Sequence, residues 1–421
     1  MILIRHNGKI WQNNEDIEIS EKCCSTAKFY SAGCPSDADN SLALFKCFLK
    51  EGAKLFQGKR STFKRGKPLL AFEPTAFFDN VKDETSKAGV LKELMSFVYT
   101  VTDQYGVDIA LCTPDRDMYL SALSLREKEC PFEDGAFWML SQRQKIRAST
   151  LARDAKVGRL AIFLGAGVSI PSGAPSWGRL LELLAIKADL NEEDRRSLSS
   201  LDYLDQPTIL EEEMGKGFKP SVADLVNDSY RYTPAHALLK TLRCPAVTTN
   251  YDALYEQAAQ SCGEYIPCLP FESRRMIENN HPIHNSLLKL HGCVNYPDTI
   301  VLTRKDYMRY PDTSQALRGR LQGIFLTNEI LFCGFSMTDD NVHKVIDDVR
   351  KSVYGENGHP VGNSKLGTVL TMTENKMFNR LWDQDFHIQS FGKSWSDNPS
   401  WYHDCFLDAL ISNYFGANRV K

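Results

Sequence analysis

A short apolar run that ends in a glycine-rich turn places the tightest limit on how this chain folds. Leu160-Ala-Ile-Phe-Leu164 has the length of a buried β-strand, and it leads directly into Gly165-Ala166-Gly167-Val168-Ser169. An amphipathic helix pattern begins near Gly178. Small residues let backbone amides approach a phosphate, and a helix amino end favours negative charge. Strand, turn and helix in this order therefore predict a nucleotide site, with a purely structural turn as the alternative.

Further apolar segments along the chain have the length of buried strands. Most are separated by helix-length segments, which is typical of a parallel sheet covered by helices on both faces. We therefore predict an α/β fold with a parallel, Rossmann-like sheet. The segments are Ala246-Val247-Thr248, Leu287-Leu-Lys-Leu290, Ile330-Leu-Phe-Cys333, Gly367-Thr-Val-Leu-Thr371 and Phe386-His-Ile388.

The pattern of the chain changes near residue 150. Residues 1–150 contain a helical pattern over 90–104, a glycine stop and an apolar run over 107–112, so we predict a separate α/β domain there. The sheet domain is predicted over 158–421. A polar, helical stretch from about 190 to 240 is expected to form a small helical insertion in it.

Charge and cysteine content restrict the class of protein. The 50 Lys and Arg residues against 53 Asp and Glu give a formal net charge of −3, so no bulk positive field attracts nucleic acid. The amino end lacks the long apolar region of an export signal. We expect a cytoplasmic protein with no membrane association and no direct nucleic-acid binding, whose 12 cysteines are reduced thiols.

Polar residues follow three of the predicted strands, where open α/β sheets place their ligands. Asn250 and Asp252 lie in a Thr-Thr-Asn-Tyr-Asp segment, and Gly334 and Ser336 follow another strand. His291 stands at a strand end beside a glycine, and its imidazole can accept a proton near neutral pH. The simpler alternatives are Asx turns for Asn250 and Asp252 and a structural role for the histidine.

Taken together and in this order, these segments resemble the SIR2-like domain family, over roughly residues 158–421. The matching motifs are a Gly-Ala-Gly-x-Ser loop, a Thr-x-Asn-x-Asp loop, a His-Gly and a Gly-x-Ser. The resemblance implies an NAD site in which each residue has an expected role. The pyrophosphate would be held by Gly165, Ala166, Gly167 and Ser169, and the nucleotide ribose and phosphate by Gly334 and Ser336. Asn250 would orient the water or the ribose, and Asp252 would bind the nicotinamide amide. His291 would be the base.

Two departures from the sirtuin pattern indicate which branch the chain resembles. Protein-deacylating sirtuins carry paired Cys-x-x-Cys zinc ligands after the His-Gly, whereas here only Cys333 lies between Cys293 and Gly334. Four thiolate ligands cannot be assembled, so we predict no zinc. Ser176-Trp177-Gly178 also replaces the sirtuin Asp-Phe-Arg. The chain looks like the zinc-free SIR2-like NAD hydrolases of bacterial antiphage defence. The segment after its His-Gly, Leu302-Thr303-Arg304-Lys-Asp306-Tyr307, is also similar to theirs.

The amino-terminal part more faintly resembles a macro-like or Rossmann-like module, through Gly106-Val-Asp-Ile-Ala-Leu and Thr113-Pro-Asp. The expected glycine-rich ligand loop is not visible, because Glu73-Pro74-Thr-Ala-Phe-Phe-Asp79 is bulky and acidic. We therefore expect this module to serve assembly or sensing.

The resemblance implies an enzyme that cleaves the nicotinamide–ribose bond of NAD to nicotinamide and ADP-ribose, as an NAD-depleting effector in antiphage defence. A non-catalytic NAD or ADP-ribose binding module that controls assembly is one alternative, and an NAD-dependent deacylase or ADP-ribosyltransferase is another. A constitutively active hydrolase would drain its host. We therefore expect a homo-oligomer, or an activating partner such as a translocase-type ATPase or a phage protein.

Overall fold

The computed structural model describes residues 2–5, 42, 46, 49–50, 53–54, 69–72, 84–113, 115–227, 232–355, 365–392 and 399–416. The strands in this part of the chain are β1 Ile2–Arg5, β2 Leu69–Phe72, β3 Asp108–Thr113, β4 Leu160–Leu164, β5 Ala246–Thr248, β6 Cys268–Leu269, β7 Leu287–Lys289, β8 Glu329–Cys333, β9 Gly367–Thr371 and β10 Phe386–Ser390.

The helices of the same residues cover both sheets and build the insertion. They are α1 Glu84–Tyr105, α2 Arg116–Lys128, α3 Gln142–Lys156, α4 Trp177–Lys187, α5 Glu192–Ser199, α6 Asp205–Met214, α7 Phe218–Val226, α8 Pro234–Thr241, α9 Leu254–Ser261, α10 Ser273–Glu278, α11 Arg304–Thr313, α12 Gln315–Thr327, α13 Asp340–Tyr354, α14 Lys376–Trp382 and α15 Pro399–Gly416. None of the helices in the described ranges combines the length and the hydropathy that crossing a bilayer requires.

The larger sheet has the strand order β10-β9-β8-β4-β5-β7-β6, and all of its pairs are parallel. β4 is buried along its whole length because helices cover both faces of the sheet. The chain moves outward in one direction from β4 through β5 to β7 and in the other from β8 to β10. The order thus reverses beside β4, and a ligand crevice is expected at its carboxyl end.

The predicted α/β fold with a parallel Rossmann-like sheet is confirmed. All of the strands predicted for this sheet are present, although β7 ends one residue earlier than expected. β6 was not predicted, because its two residues are too few to show a periodicity.

The helical insertion is also present. Helices α5, α6 and α7 pack together with α4 around a buried cluster that includes Leu184 and Phe218. α8 falls in the same stretch of sequence but packs against α9 and α15 instead. The insertion is held to the start of α11, where Arg304 Nη2 lies 2.7 Å from Asp202 Oδ1 and the guanidinium also pairs with Asp205.

The amino-terminal part contains a three-stranded parallel sheet of order β1-β3-β2. Its core is continuous with that of α8 and α15, since residues from all of these elements form one buried hydrophobic cluster. Arg126 Nη1 of α2 lies 2.5 Å from Asp408 Oδ2 of α15. The domain boundary near 150 stays a prediction, and the acidic segment 73–79 lies outside the described residues.

Candidate active site

The glycine-rich turn after β4 is pressed against the turn after β8. A Cβ atom on Gly165 would lie 2.5 Å from the carbonyl oxygen of Gly334, and one on Gly334 would lie 2.3 Å from Val168 N. The N–H groups of Gly165 and Gly167 donate to the carbonyls of Cys333 and Gly334, at 2.9 Å each. These glycines permit close backbone packing between the turns. Their contact with a pyrophosphate stays a prediction.

Ser169 joins the first predicted motif to the second. Its hydroxyl donates to Asp252 Oδ2 at 2.9 Å, and Asn250 Nδ2 donates to Ser169 Oγ at 3.3 Å and to Gly165 O at 3.1 Å. The other oxygen of Asp252 accepts the N–H of Leu254 at 3.0 Å and so forms an Asx turn before α9. Asp252 therefore forms the Asx turn that the sequence offered as an alternative, and it also contacts Ser169.

His236, which the sequence analysis did not single out, lies beneath this network. Its Nε2 is 3.5 Å from Ser169 Oγ, and its Nδ1 accepts the N–H of Thr233 at 3.1 Å. Since Nδ1 is an acceptor, the ring proton is on Nε2. Burial lowers the pKa of His236 to about 4 although Asp252 opposes the shift, so the ring is neutral near pH 7. A histidine three residues after the Thr233 helix cap was the available signal.

Lys289 was also not predicted, because a lone lysine in an apolar strand forms no recognisable sequence motif. It is fully buried, and its Nζ donates to Asp252 O at 2.5 Å and to Tyr251 O at 3.3 Å. Glu256 Oε1 is 2.9 Å from the same nitrogen. Burial alone would lower the pKa of Lys289, but the nearby Glu256 and the thiol of Cys293 raise it above its ordinary value. This ammonium group holds the loop that carries Asp252.

His291 follows β7 and is 3% exposed. The next residue, Gly292, has φ +94°, and a Cβ there would lie 2.4 Å from Thr299 O. His291 Nε2 is 3.5 Å from Asp339 Oδ2, and the rings of Tyr307 and Tyr310 contact the imidazole edge-on with centroids at 5.4 and 5.3 Å. Burial lowers the pKa of His291 and Asp339 opposes the shift. The imidazole is therefore neutral at pH 7 and able to accept a proton.

The fourth motif supplies a carboxylate as well as a hydroxyl. Ser336 is exposed, with its Oγ 2.6 Å from Thr338 Oγ1. Asp339 caps α13 by accepting the N–H of Val342 at 3.0 Å. His291 thus joins the group of strand-end motifs through Asp339, three residues after Ser336.

The two cysteines relevant to the zinc prediction have other surroundings. Cys293 Sγ lies 3.4 Å from Lys289 Nζ, and Cys333 is buried at the end of β8. Among the residues that the structure describes, no group of three His, Cys, Asp or Glu side chains is arranged to bind a metal ion. The absence of zinc stays a prediction.

Comparison with known proteins agrees with this geometry. The family model of the SIR2-like domain matches residues 246–388, which include Asn250, His291 and Asp339. This part of the chain is similar to SIR2-like domains. The predicted resemblance to the SIR2-like family is thereby confirmed over residues 246–388.

Three curated relatives match about half of the chain. The protein named NAD(+) hydrolase ThsA of Enterococcus faecium is 30% identical over 220 residues, which are 52% of this chain and 45% of the relative. Its namesake of Acinetobacter baumannii (strain 532279) is 29% identical over 213 residues, 50% of this chain and 43% of the relative. Defense-associated sirtuin 2 of Bacillus subtilis is 27% identical over 221 residues, 51% of this chain and 22% of the relative. The matched part of the chain spans less than half the length of each relative.

Proposed function

We propose that the protein hydrolyses the nicotinamide–ribose bond of NAD and releases nicotinamide and ADP-ribose. The observation that carries the proposal is the contact of Asn250 and Asp252 with Ser169 where β4 and β5 end, with the neutral His291 at the end of the adjacent β7. Ligands of open α/β sheets bind at this point of strand reversal. The names of the relatives support NAD as the substrate.

The arrangement suits a reaction that passes through a ribosyl cation. The electron pair of the broken bond leaves with nicotinamide, a water molecule attacks the sugar carbon, and a base takes the water's proton. Asn250 donates its amide N–H groups inward to Gly165 O and Ser169 Oγ, so its carbonyl oxygen is left to accept a hydrogen bond from the water or a ribose hydroxyl. The buried His291 is neutral and takes the proton.

The direct test is to incubate the purified full chain with NAD and to separate the products by chromatography. We expect nicotinamide and ADP-ribose in equal amounts. Asn250→Ala and His291→Ala should each lower the rate at least ~100-fold, the scale for loss of a positioned base or orienting group. Circular dichroism checks that each variant is folded.

Matched controls come from the exposed residues Asn279 and His284. Asn279→Ala and His284→Ala should keep the wild-type rate, because both side chains lie on the surface near α10. Near-full activity in the Asn250 or His291 variant would disprove the assigned active site. Wild-type protein that binds NAD without forming products would instead favour the non-catalytic binding module.

We further propose that the activity serves antiphage defence and is controlled by assembly or by an activating partner, with residues 1–150 in the assembly or sensing role. The name of one relative supports the defence role, and the cost of unregulated NAD loss supports control of the activity.

Infected cells that produce the wild-type chain should lose NAD, whereas cells with His291→Ala should not. Light scattering tests assembly, and a strict monomer at micromolar concentration with and without NAD would contradict the homo-oligomer.

A further inference from the structure

We propose that Asp339 is a positioning residue of the candidate active site, whose carboxylate orients the His291 imidazole and stabilises the imidazolium that forms when the ring accepts a proton. The inference rests on the proposed function, because it concerns the proton-transfer step of NAD hydrolysis. Asp339 follows the Gly-x-Ser motif by three residues and was not assigned a role at the NAD site from the sequence.

Asp339 is held in place from three elements. Its Oδ1 accepts the N–H of Val342 at 3.0 Å and caps α13, while Tyr307 of α11 donates its hydroxyl to Oδ2 at 3.4 Å. The same Oδ2 is 3.5 Å from His291 Nε2, which follows β7. A carboxylate fixed on two sides in this way offers the imidazole one defined position.

The surroundings of His291 single out Asp339 as its electrostatic partner. Within the part of the chain that the structure describes, the titratable groups that face the ring are Asp339 at the start of α13 and Tyr307 and Tyr310 of α11. Burial raises the pKa of both tyrosines, so both hydroxyls stay neutral. The negative charge beside the imidazole therefore comes from Asp339, whose side chain is only 10% exposed and weakly screened by water.

The position of Asp339 also assigns the two ring nitrogens of His291. Nε2 is buried and forms no hydrogen bond within the described residues, and Asp339 Oδ2 lies 3.5 Å from it. A proton on Nε2 is attracted to that carboxylate, which leaves Nδ1 to take the proton of the attacking water. The carboxylate–imidazole pair then works as it does in hydrolases that use a buried aspartate to orient their base.

The competing explanation is that Asp339 serves only as the cap of α13. Asp339→Asn separates the two roles, since asparagine caps a helix about as well as aspartate but carries no charge. We expect kcat to fall at least ~10-fold, within the range for general-base catalysis, with KM nearly unchanged. The acidic limb of the pH–rate profile should move to lower pH, because the imidazole loses the neighbouring charge that raises its pKa.

Two comparisons show whether the effect passes through His291. Asp340→Asn, at the exposed neighbouring position, should keep the wild-type rate and pH profile. His291→Ala combined with Asp339→Asn should be no slower than His291→Ala alone, because residues that act as a unit are not additive. A further loss in the double variant, or a wild-type pH profile in Asp339→Asn, would overturn the proposal.

Titration of the His291 ring by NMR gives a readout that needs no turnover, with His291→Ala used to assign the signal. The imidazole pKa should be lower in Asp339→Asn than in the wild type. An unchanged titration would refute the pairing of Asp339 with His291 even in an active enzyme. If the wild type forms no nicotinamide, the proposed function is refuted. A lower imidazole pKa in Asp339→Asn would in that case still support the pairing of Asp339 with His291.

Discussion

Replacing Arg126 with methionine should lower the free energy of unfolding of the full chain by about 3–5 kcal/mol, because it leaves Asp408 buried without its ion partner. The charged atoms are 2.5 Å apart, and both side chains are 1% exposed. Coulomb's law at an effective dielectric constant of about 20 gives roughly 7 kcal/mol at this separation. Burial raises the pKa of Asp408, so the unpaired carboxyl can take up a proton, which reduces the loss to the lower figure.

Urea unfolding followed both by circular dichroism and by tryptophan fluorescence measures the change, provided that both probes give the same transition. Arg196→Met is the matched control, because its ion pair with Glu192 is 78% and 77% exposed and should contribute less than ~0.5 kcal/mol. Arg126→Met combined with Asp408→Leu should regain most of the lost stability, since an apolar pair can replace a buried ion pair.

The result that would refute this reasoning is an Arg126→Met variant that unfolds like the Arg196→Met control. The ion pair would then be solvated in solution. In that case α2 would not dock on α15 as the structure has it, and the continuous core between the amino-terminal part and the helices that cover the larger sheet would be wrong.

Three further predictions concern the site. The pKa of His236 is about 4 in the folded protein against about 6.5 in the unfolded chain, so the wild type should lose up to ~3 kcal/mol of stability as the pH falls from 6.5 to 4, whereas a His236→Asn variant should not. Equal pH dependence of both proteins in urea unfolding would contradict this. Lys289→Met should slow NAD cleavage at least ~10-fold by releasing the Asp252 loop, and adding Glu256→Leu should restore stability more than turnover; full activity of the single variant would rule out this positioning role. Metal analysis should find no stoichiometric zinc, and chelators should leave NAD cleavage unchanged; one zinc per chain would reverse the prediction.

The elements that could be predicted are those with a local signature. An apolar run followed by glycines identifies β4 and its turn, because strand length and small residues are properties of consecutive positions. The partners of His291 have no such signature. Asp339 is the cap of α13 and follows β8, and the sheet order that brings the ends of β8 and β7 together depends on pairing between distant strands. Tyr307 lies closer in sequence, but nothing in the sequence shows that α11 turns it toward the His291 ring.

Lys289 and Gly167 show two other ways in which sequence reasoning falls short. Lys289 lies in an apolar strand, and only the structure shows that Glu256 and two carbonyl groups surround its ammonium group. Gly167 was expected to approach a phosphate, and the structure uses the same missing Cβ to approach the Gly334 backbone. The absence of a side chain signals a close neighbour but does not identify it.

The interlocked turns after β4 and β8 and the helical insertion differ in how firmly they are attached. Gly167 and Gly334 share a backbone hydrogen bond with no side chain between them, so the two turns can shift only as one body. The helical insertion is held differently, because Arg304 ties it to the start of α11 through an ion pair with Asp202 whose side chains are 42% and 49% exposed, and such pairs contribute little. We therefore expect substitutions of Arg304 to loosen the attachment of the insertion while the paired turns after β4 and β8 keep their positions.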